Sequence, residues 1–352
     1  MNSLDKDDIL RLDSMMRQAG RVCVVSHFHP DGDAVGSSTA MTRYLRRVRG
    51  LDAVTVLPGK AQDALGFLVG DDVVDAGAEA PRAALEISSC DLLICLDCRS
   101  FDRTEFLEQQ LRDCKAVKVL IDHHLNPARE DFDLVFSETE ISSASELLYH
   151  ILRAMPGIDG DSSRLPLEVL TPLMTGMTTD TNNFANSVFP STLAMASDLL
   201  ACGVDRDAII RHLYQEFRPN RLLAQGWLLD HSLKITPDGV AYMILDSATA
   251  ARFDLQEGET EGFVNLPLAI REVRLSVMLK QDKEYFRVSL RSKPGTSAET
   301  IAREFFHGGG HECAAGGRLY CPGDIGCHED AASYIERVTA RFLQNPVPGK
   351  NE

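Results

Sequence analysis

The sequence predicts an α/β protein in two parts: an N-terminal domain with a parallel sheet flanked by helices, and a smaller C-terminal α/β domain. In the first half, short apolar runs alternate with helix-like segments, the pattern of a parallel sheet covered on both faces. The pattern then turns mostly helical and, further on, β-rich. At 352 residues the chain also exceeds what one ordinary core organises.

Residues 4–17 open with helical spacing, because Leu4, Ile9, Leu12, Met15 and Met16 fall mostly on one side. Buried strands are expected at RVCVVS (21–26), AVTVLP (53–58), DLLICLD (91–97) and AVKVLID (116–122). Helices are expected between them, among others at 34–47 and 103–112, and residues 142–233 read as mostly helical. Three β-rich runs follow: GVAYMILDS (239–247), VRLSVMLKQ (273–281) and YFRVSLRSK (285–293). A last helix is expected at 298–306, where Thr296 and Glu299 have capping-box spacing. These changes divide the chain into residues 1–205, a helical linker at 206–236, and residues 237–345.

Composition narrows the function. The formal net charge of −16 argues against gripping long nucleic acid on a broad basic surface. Between Asn265 and Tyr320, however, nine Lys or Arg face six acids, a local balance of +3 that suits a small anionic ligand. No charge-free apolar run reaches the roughly 18–20 residues of a membrane span. The acidic start MNSLDKDDIL lacks the order of a secretion signal, so a cytoplasmic protein is expected. Nine cysteines, an odd count without a signal, do not suggest a disulfide framework. Cys95 and Cys98 straddle a strand end rather than opening a helix, and the spacing of His311, Cys313, Cys321, Cys327 and His328 fits no closed zinc pattern.

The chemistry concentrates at strand ends. RVCVVS leads into His27, His29, Asp31 and Asp33; DLLICL stops at Asp97; AVKVLI stops at Asp122, His123 and His124. In a parallel sheet these carboxyl ends share one edge, so residues remote in sequence converge. Asp180, in a Thr-, Gly- and Asn-rich turn after a helix, is a fourth candidate. So many carboxylates together repel one another, and divalent cations remove the repulsion by taking them as ligands. A mostly carboxylate set with some imidazole favours manganese, with magnesium, zinc or cobalt behind it. The donors suffice for two ions, which together hold a hydroxide and polarise a phosphoryl group.

HFHPDGDAVGS, LDC, IDHH and TTDT resemble, in order and spacing, the four motifs of the DHH phosphoesterase family. VSLRSK and GGGHECAAGG resemble its DHHA1 subclass domain, so the likeness runs from about Val22 to Leu319. The chain looks most like the compact members that act as nanoRNases and pAp phosphatases. The resemblance implies a DHH catalytic domain at 1–205, a DHHA1 substrate-binding domain at 237–345, and an active site in the cleft between them. It implies one ion held by His27, Asp31, Asp97 and Asp180, and a second held by Asp33, Asp97, His123 and Asp180, with Asp97 bridging. His124 would face the scissile phosphate and Asp122 would orient the histidines, while His29 matches no ligand position. Asn182 stands where many members have Gly, a change that left-handed backbone tolerates.

In the second domain, Gly308, Gly309 and Gly310 would let backbone N–H groups approach an anion, with His311, Arg291 and Ser292 adding side-chain contacts. The plainer explanation of the glycines is a turn after a helix. The expected reaction is hydrolysis of short oligoribonucleotides to mononucleotides, or of 3′-phosphoadenosine 5′-phosphate (pAp) to AMP, by a metal-bridging hydroxide. Rival readings are a cyclic or linear dinucleotide phosphodiesterase, a manganese-dependent pyrophosphatase, and a nucleotide sensor without turnover. The expected partners are the short substrate itself and, by base rate, a second copy in a homodimer. Neither long nucleic acid nor membrane is expected.

Overall fold

The computed structural model describes residues 4–344, and the chain divides between Glu216 and Phe217 into two compact units. Residues 1–3 and 345 of the expected domain ranges lie outside the described residues. The first unit runs α1 (Lys6–Gln18), β1 (Arg21–Val25), α2 (Gly32–Arg47), β2 (Asp52–Leu57), β3 (Val73–Asp75), α3 (Ala80–Ser89) and β4 (Leu92–Leu96). It continues with α4 (Glu108–Asp113), β5 (Val117–Asp122), β6 (Leu134–Ser137), α5 (Ala144–Ala154), α6 (Leu167–Asp180), α7 (Pro190–Ala201) and α8 (Arg206–Tyr214).

The six strands are all parallel, in the order β3-β2-β1-β4-β5-β6. Order reverses between β1 and β4, and the carboxyl edge at such a reversal opens a crevice for ligands. Side chains alternate across the sheet as the two-residue repeat requires. Val22 and Val24 pack into a core with Leu12, Met41, Tyr44, Leu148 and Leu173, under α1, α2, α5 and α6. Cys23 and Val25 pack on the other face with Ala83, Ile87 and Leu111, under α3 and α4.

Two helices meet unusually closely. A Cβ added at Gly36 of α2 would lie 2.6 Å from Pro172 O and 2.9 Å from Gly176 N of α6, and one at Gly32 would lie 2.3 Å from Thr179 Oγ1. A Cβ on Gly176 would in turn meet Ser145 Oγ at 2.0 Å and Asp33 Oδ1 at 2.7 Å. The glycines beside the acid cluster are therefore what lets α2 and α6 pack backbone against backbone. One expected helix is corrected: 103–112 is not continuous. A 3₁₀ segment, Phe101–Leu107, precedes α4, and Glu105 at φ 52° breaks the helical path. Phe28 N donates to Arg103 O at 2.7 Å, tying this segment to the loop after β1.

The second unit contains α9 (Pro219–Trp227), β7 (Lys234–Ile235), β8 (Val240–Leu245), α10 (Ser247–Arg252), β9 (Leu275–Gln281) and β10 (Tyr285–Ser292). After these come α11 (Ala298–Phe305), β11 (Gly309–His311), β12 (Ala314–Tyr320) and α12 (Ala331–Gln344). Its sheet, β11-β12-β10-β9-β8-β7, is mixed, with only β8 and β9 running parallel. Val277, Phe286, Val288 and Leu290 pack under α11 and α12. The cap of α11 is corrected by one residue: Ser297 accepts from Thr300 N, and Thr296 precedes it. Among the described residues no helix is long and apolar enough to cross a membrane.

Candidate active site

The strand ends are level. Val25 pairs with Cys95 and Leu96 with Ile121, so the residues just beyond β1, β4 and β5 emerge side by side. His27 Nε2 lies 3.3 Å from Asp97 Oδ2 and 3.8 Å from Asp31 Oδ1. His123 Nε2 lies 3.4 Å from Asp97 Oδ1, 3.7 Å from Asp33 Oδ2 and 3.3 Å from Asp180 Oδ2. All six residues expected to hold cations thus meet around Asp97. Asp180 is the last residue of α6 rather than part of a turn after it, and the short spacing between α2 and α6 carries it toward Asp33.

Asp31, Asp33, His27 and His124 are each aimed by a neighbour. Asp31 caps α2, its Oδ1 accepting from Asp33 N at 3.0 Å and Ala34 N at 3.1 Å. The Asp33 carboxylate accepts from Ala144 N at 2.6 Å and Ser145 N at 2.9 Å, two amides of the first turn of α5, where a helix dipole favours an anion. His27 Nδ1 is 2.9 Å from Phe28 O, a carbonyl that can only accept, so Nδ1 carries a proton, and when the imidazole is neutral Nε2 is the nitrogen whose lone pair faces the cluster. Asp122, fully buried, accepts from His124 Nδ1 at 2.9 Å and His124 N at 3.1 Å. Asp97 itself sits at φ 53°, a left-handed conformation costing on the order of 1 kcal/mol for a residue with a Cβ. Asn182 also takes left-handed geometry, at φ 47°.

The charges are strongly coupled by burial. Burial opposes the His27 cation, but Asp97 and Asp31 outweigh it and lift the imidazole pKa to about 9. His123 is likewise opposed by burial and lifted to about 10 by Asp97, Asp180 and Asp33. Burial and the Asp97 charge push Asp33 up to about 7, and burial with Asp33 pushes Asp180 well above the carboxylate range. Burial also works to raise Asp97, yet His123 and His27 hold it well below that range.

This donor set fits divalent cations. Ligand bonds of about 2.0–2.2 Å place neighbouring donors roughly 3.0–3.4 Å apart, close to the separations around Asp97. Asp97 Oδ1 is buried and accepts no hydrogen bond among the described residues, although two imidazoles stand within 3.5 Å of it. Donors of His27, Asp31 and Asp97 fall within 4.8 Å of one another, as do those of Asp33, Asp97 and His123.

Other expected residues have different surroundings. His29 is exposed at φ 58°, its ring against Phe28. In the second unit Ser292 is buried and donates its hydroxyl to Thr296 O at 2.5 Å, bracing a turn. A Cβ at Gly308 would lie 1.9 Å from Gly316 O, and one at Gly310 2.5 Å from Ala314 O, so both glycines serve the β11–β12 hairpin. Gly309 and His311 pair with β12, at Gly316 and Ala314. Arg291, half-buried, lines a cavity of about 80 Å³ with Lys280, Arg287, Ser289, Glu257 and Glu261. The amides of Ala144 and Ser145 were outside the sequence reading; their one signal is Ser143, the cap of α5, whose side chain accepts from Glu146 N.

A doubly wound sheet that gathers Asp and His at its switch point, ahead of a mixed-sheet domain, suits a metal-dependent hydrolase of phosphate esters. The sequence model of the DHH family, N-terminal domain, matches residues 21–177, and that of the DHHA1 domain matches residues 239–337. The chain belongs to the DHH family, in the branch that carries a DHHA1 domain. It is 27% identical over 301 residues to the bifunctional oligoribonuclease and PAP phosphatase NrnA of Bacillus subtilis, covering 84% of this chain and 88% of the relative. It is 29% identical over 311 residues to the same-named protein of Thermus thermophilus, covering 85% and 84%. The crystal structure of an exopolyphosphatase-related protein from Bacteroides fragilis superimposes with a TM-score of 0.88 at 31% identity, over 98% of both chains.

Proposed function

We propose that the protein hydrolyses short oligoribonucleotides to mononucleotides and pAp to AMP, using two divalent cations, manganese foremost. The observation that carries this reading is the meeting of His27, Asp31, Asp33, Asp97, His123 and Asp180 at one sheet edge. Likeness to two NrnA proteins over most of their length supports the substrate class.

His27, Asp31, Asp97 and Asp180 are assigned to one cation, and Asp33, Asp97, His123 and Asp180 to the other. Bound there, the cations would supply a nucleophile at neutral pH and polarise the phosphoryl group. The chain's own part is placement. The first turn of α5 fixes the Asp33 carboxylate, and the Phe28 carbonyl fixes the tautomer of His27. Asp122 holds His124 by ring and backbone, so that the imidazole can offset charge on a phosphoryl oxygen. Recognition of the rest of the substrate is assigned to Arg291, His311 and the backbone of Gly309 and Gly310, with Ser292 supporting Arg291 through the turn it braces; Gly308, expected to join them, instead donates its N–H to Ala302 O at 3.1 Å, closing α11.

Initial rates on a 2-mer RNA, pAp, cyclic di-AMP, pyrophosphate and a 24-mer RNA test the assignment. The 2-mer and pAp should be fastest. Faster release of phosphate from pyrophosphate, or equal rates on 24-mer and 2-mer, would refute it.

A further inference from the structure

We propose that Cys90 and Cys114 form a peroxide-responsive thiol pair that closes to a disulfide across the base of the first sheet. Their sulfurs are 3.9 Å apart. Both thiols donate to one carbonyl, Ile87 O, at 3.3 and 3.2 Å, so they are aimed at a single point. Cys90 is the residue after α3 and Cys114 the residue after α4. The backbone between them is already tied: Val117 N donates to Asp91 O at 3.0 Å, and Leu92 pairs with Val117. A disulfide of about 2.05 Å requires the sulfurs to close by roughly 2 Å, a side-chain rotation rather than a rearrangement of strands.

Access and reactivity are divided between the two thiols, for burial and then the neighbouring Cys90 raise the Cys114 thiol. Cys114 is half-buried at the surface while Cys90 lies just beneath it. The neighbouring thiol of Cys23 holds the Cys90 thiol below its ordinary pKa against burial, and Cys114 adds to that effect. Cys95 and Cys98, the C-x-x-C pair, are both buried with thiols pushed up, chiefly by burial.

The reaction balances with a hydroperoxide as oxidant. One thiol gives up its proton, the thiolate attacks a peroxide oxygen, the O–O bond breaks, and a sulfenic acid forms while the departing hydroxide takes that proton and leaves as water. The second sulfur then attacks the sulfenic sulfur, the S–S bond forms, and hydroxide departs as a second water with the remaining thiol proton. Two thiols and one hydrogen peroxide thus give one disulfide and two waters.

The bond would join the amino-terminal ends of β4 and β5, whereas Asp97 and Asp122 stand at their carboxyl ends. It therefore acts as a staple: cross-linking positions 24 apart restricts the unfolded chain without moving the catalytic edge. Oxidised protein should keep its turnover and melt roughly 5 °C or more higher, reversibly with dithiothreitol.

The test exposes full-length protein to hydrogen peroxide, blocks remaining thiols with N-ethylmaleimide, and maps tryptic peptides by mass spectrometry without reduction. The expected product is the peptide 113–115 joined to the peptide 83–99 through Cys90, with two hydrogens lost. Cys114→Ser should abolish both the link and the rise in Tm, and Cys327→Ser should leave both. A Cys23–Cys90 link instead, or Cys114 oxidised to sulfinate without a link in the wild-type chain, would overturn the proposal.

Discussion

His123 Nε2 stands 3.4 Å from Asp97 Oδ1, two groups brought level by the register of neighbouring parallel strands. Asp97 faces His27 with its other oxygen, so it is the carboxylate placed to serve both halves of the cluster. Asp97→Ala should lower kcat on a 2-mer RNA by at least about a thousandfold, since it removes several kcal/mol of charge stabilisation. Steady-state kinetics with manganese in excess check this; near-normal turnover would remove Asp97 from its bridging role.

Asp122 acts at one remove, through its two bonds to His124. Asp122→Asn should cost about 10–100-fold in activity, the usual effect of losing a carboxylate that orients a site imidazole. The decrease should fall mainly on kcat, and the variant should still bind manganese.

Cation binding should release protons. His27 and His123, with imidazole pKa values of about 9 and 10, are charged at pH 7, and Asp33, at about 7, is half protonated. A cation requires neutral imidazole and ionised carboxylate, so it must displace those protons. Raised pKa values mean that protons compete below them; apparent affinity should therefore rise with pH from 6 toward 9. Calorimetric titration in two buffers of different ionisation enthalpy at pH 7 should show at least two protons released per chain.

Gly36→Ala should destabilise the first unit by about 1–3 kcal/mol, because the new methyl meets the backbone of α6 and cannot be relieved by rotating a side chain. Activity should fall further than stability, since separating α2 from α6 moves Asp33 away from Asp180. Denaturant unfolding and kinetics on the same variant check the two effects.

Acid stability should depend on Glu146. Its fully buried carboxylate accepts from Ser142 N at 3.1 Å and Thr192 Oγ1 at 2.7 Å. Burial alone would raise its pKa, but these donors together with His150 and Ser191 hold it at about 2. A depressed carboxylate stabilises above its ordinary value near 4.5 and loses that contribution as pH falls toward 2. Glu146→Gln should cost about 3 kcal/mol at pH 7, and the gap to wild type should narrow by pH 3 in urea unfolding.

Much of this site was legible in the sequence because parallel strands impose a rule: whatever ends adjacent strands shares one edge. That rule gathered His27, Asp97 and His123 from three distant stretches. What escaped depends on contacts through space. The amides of Ala144 and Ser145 that hold Asp33 belong to a helix over a hundred residues away. Gly36 falls inside the helix expected at 34–47 and Gly176 in the stretch expected to turn, and neither, nor Gly32, marks a helix contact until α2 and α6 are seen to touch. The break at Glu105 stands beside a tie through space, Phe28 N to Arg103 O, and β3, of three residues, is too short to show a period. Cys90 and Cys114 gave no signal, since each simply follows a helix.

The central claim, a two-cation centre shared by Asp97, is tested most directly by manganese stoichiometry. Equilibrium dialysis of the full chain at pH 8, with metal measured by mass spectrometry, should give two ions per chain for wild type and fewer than one for Asp97→Ala. One ion or none in the wild type, or two in the variant, would contradict the account.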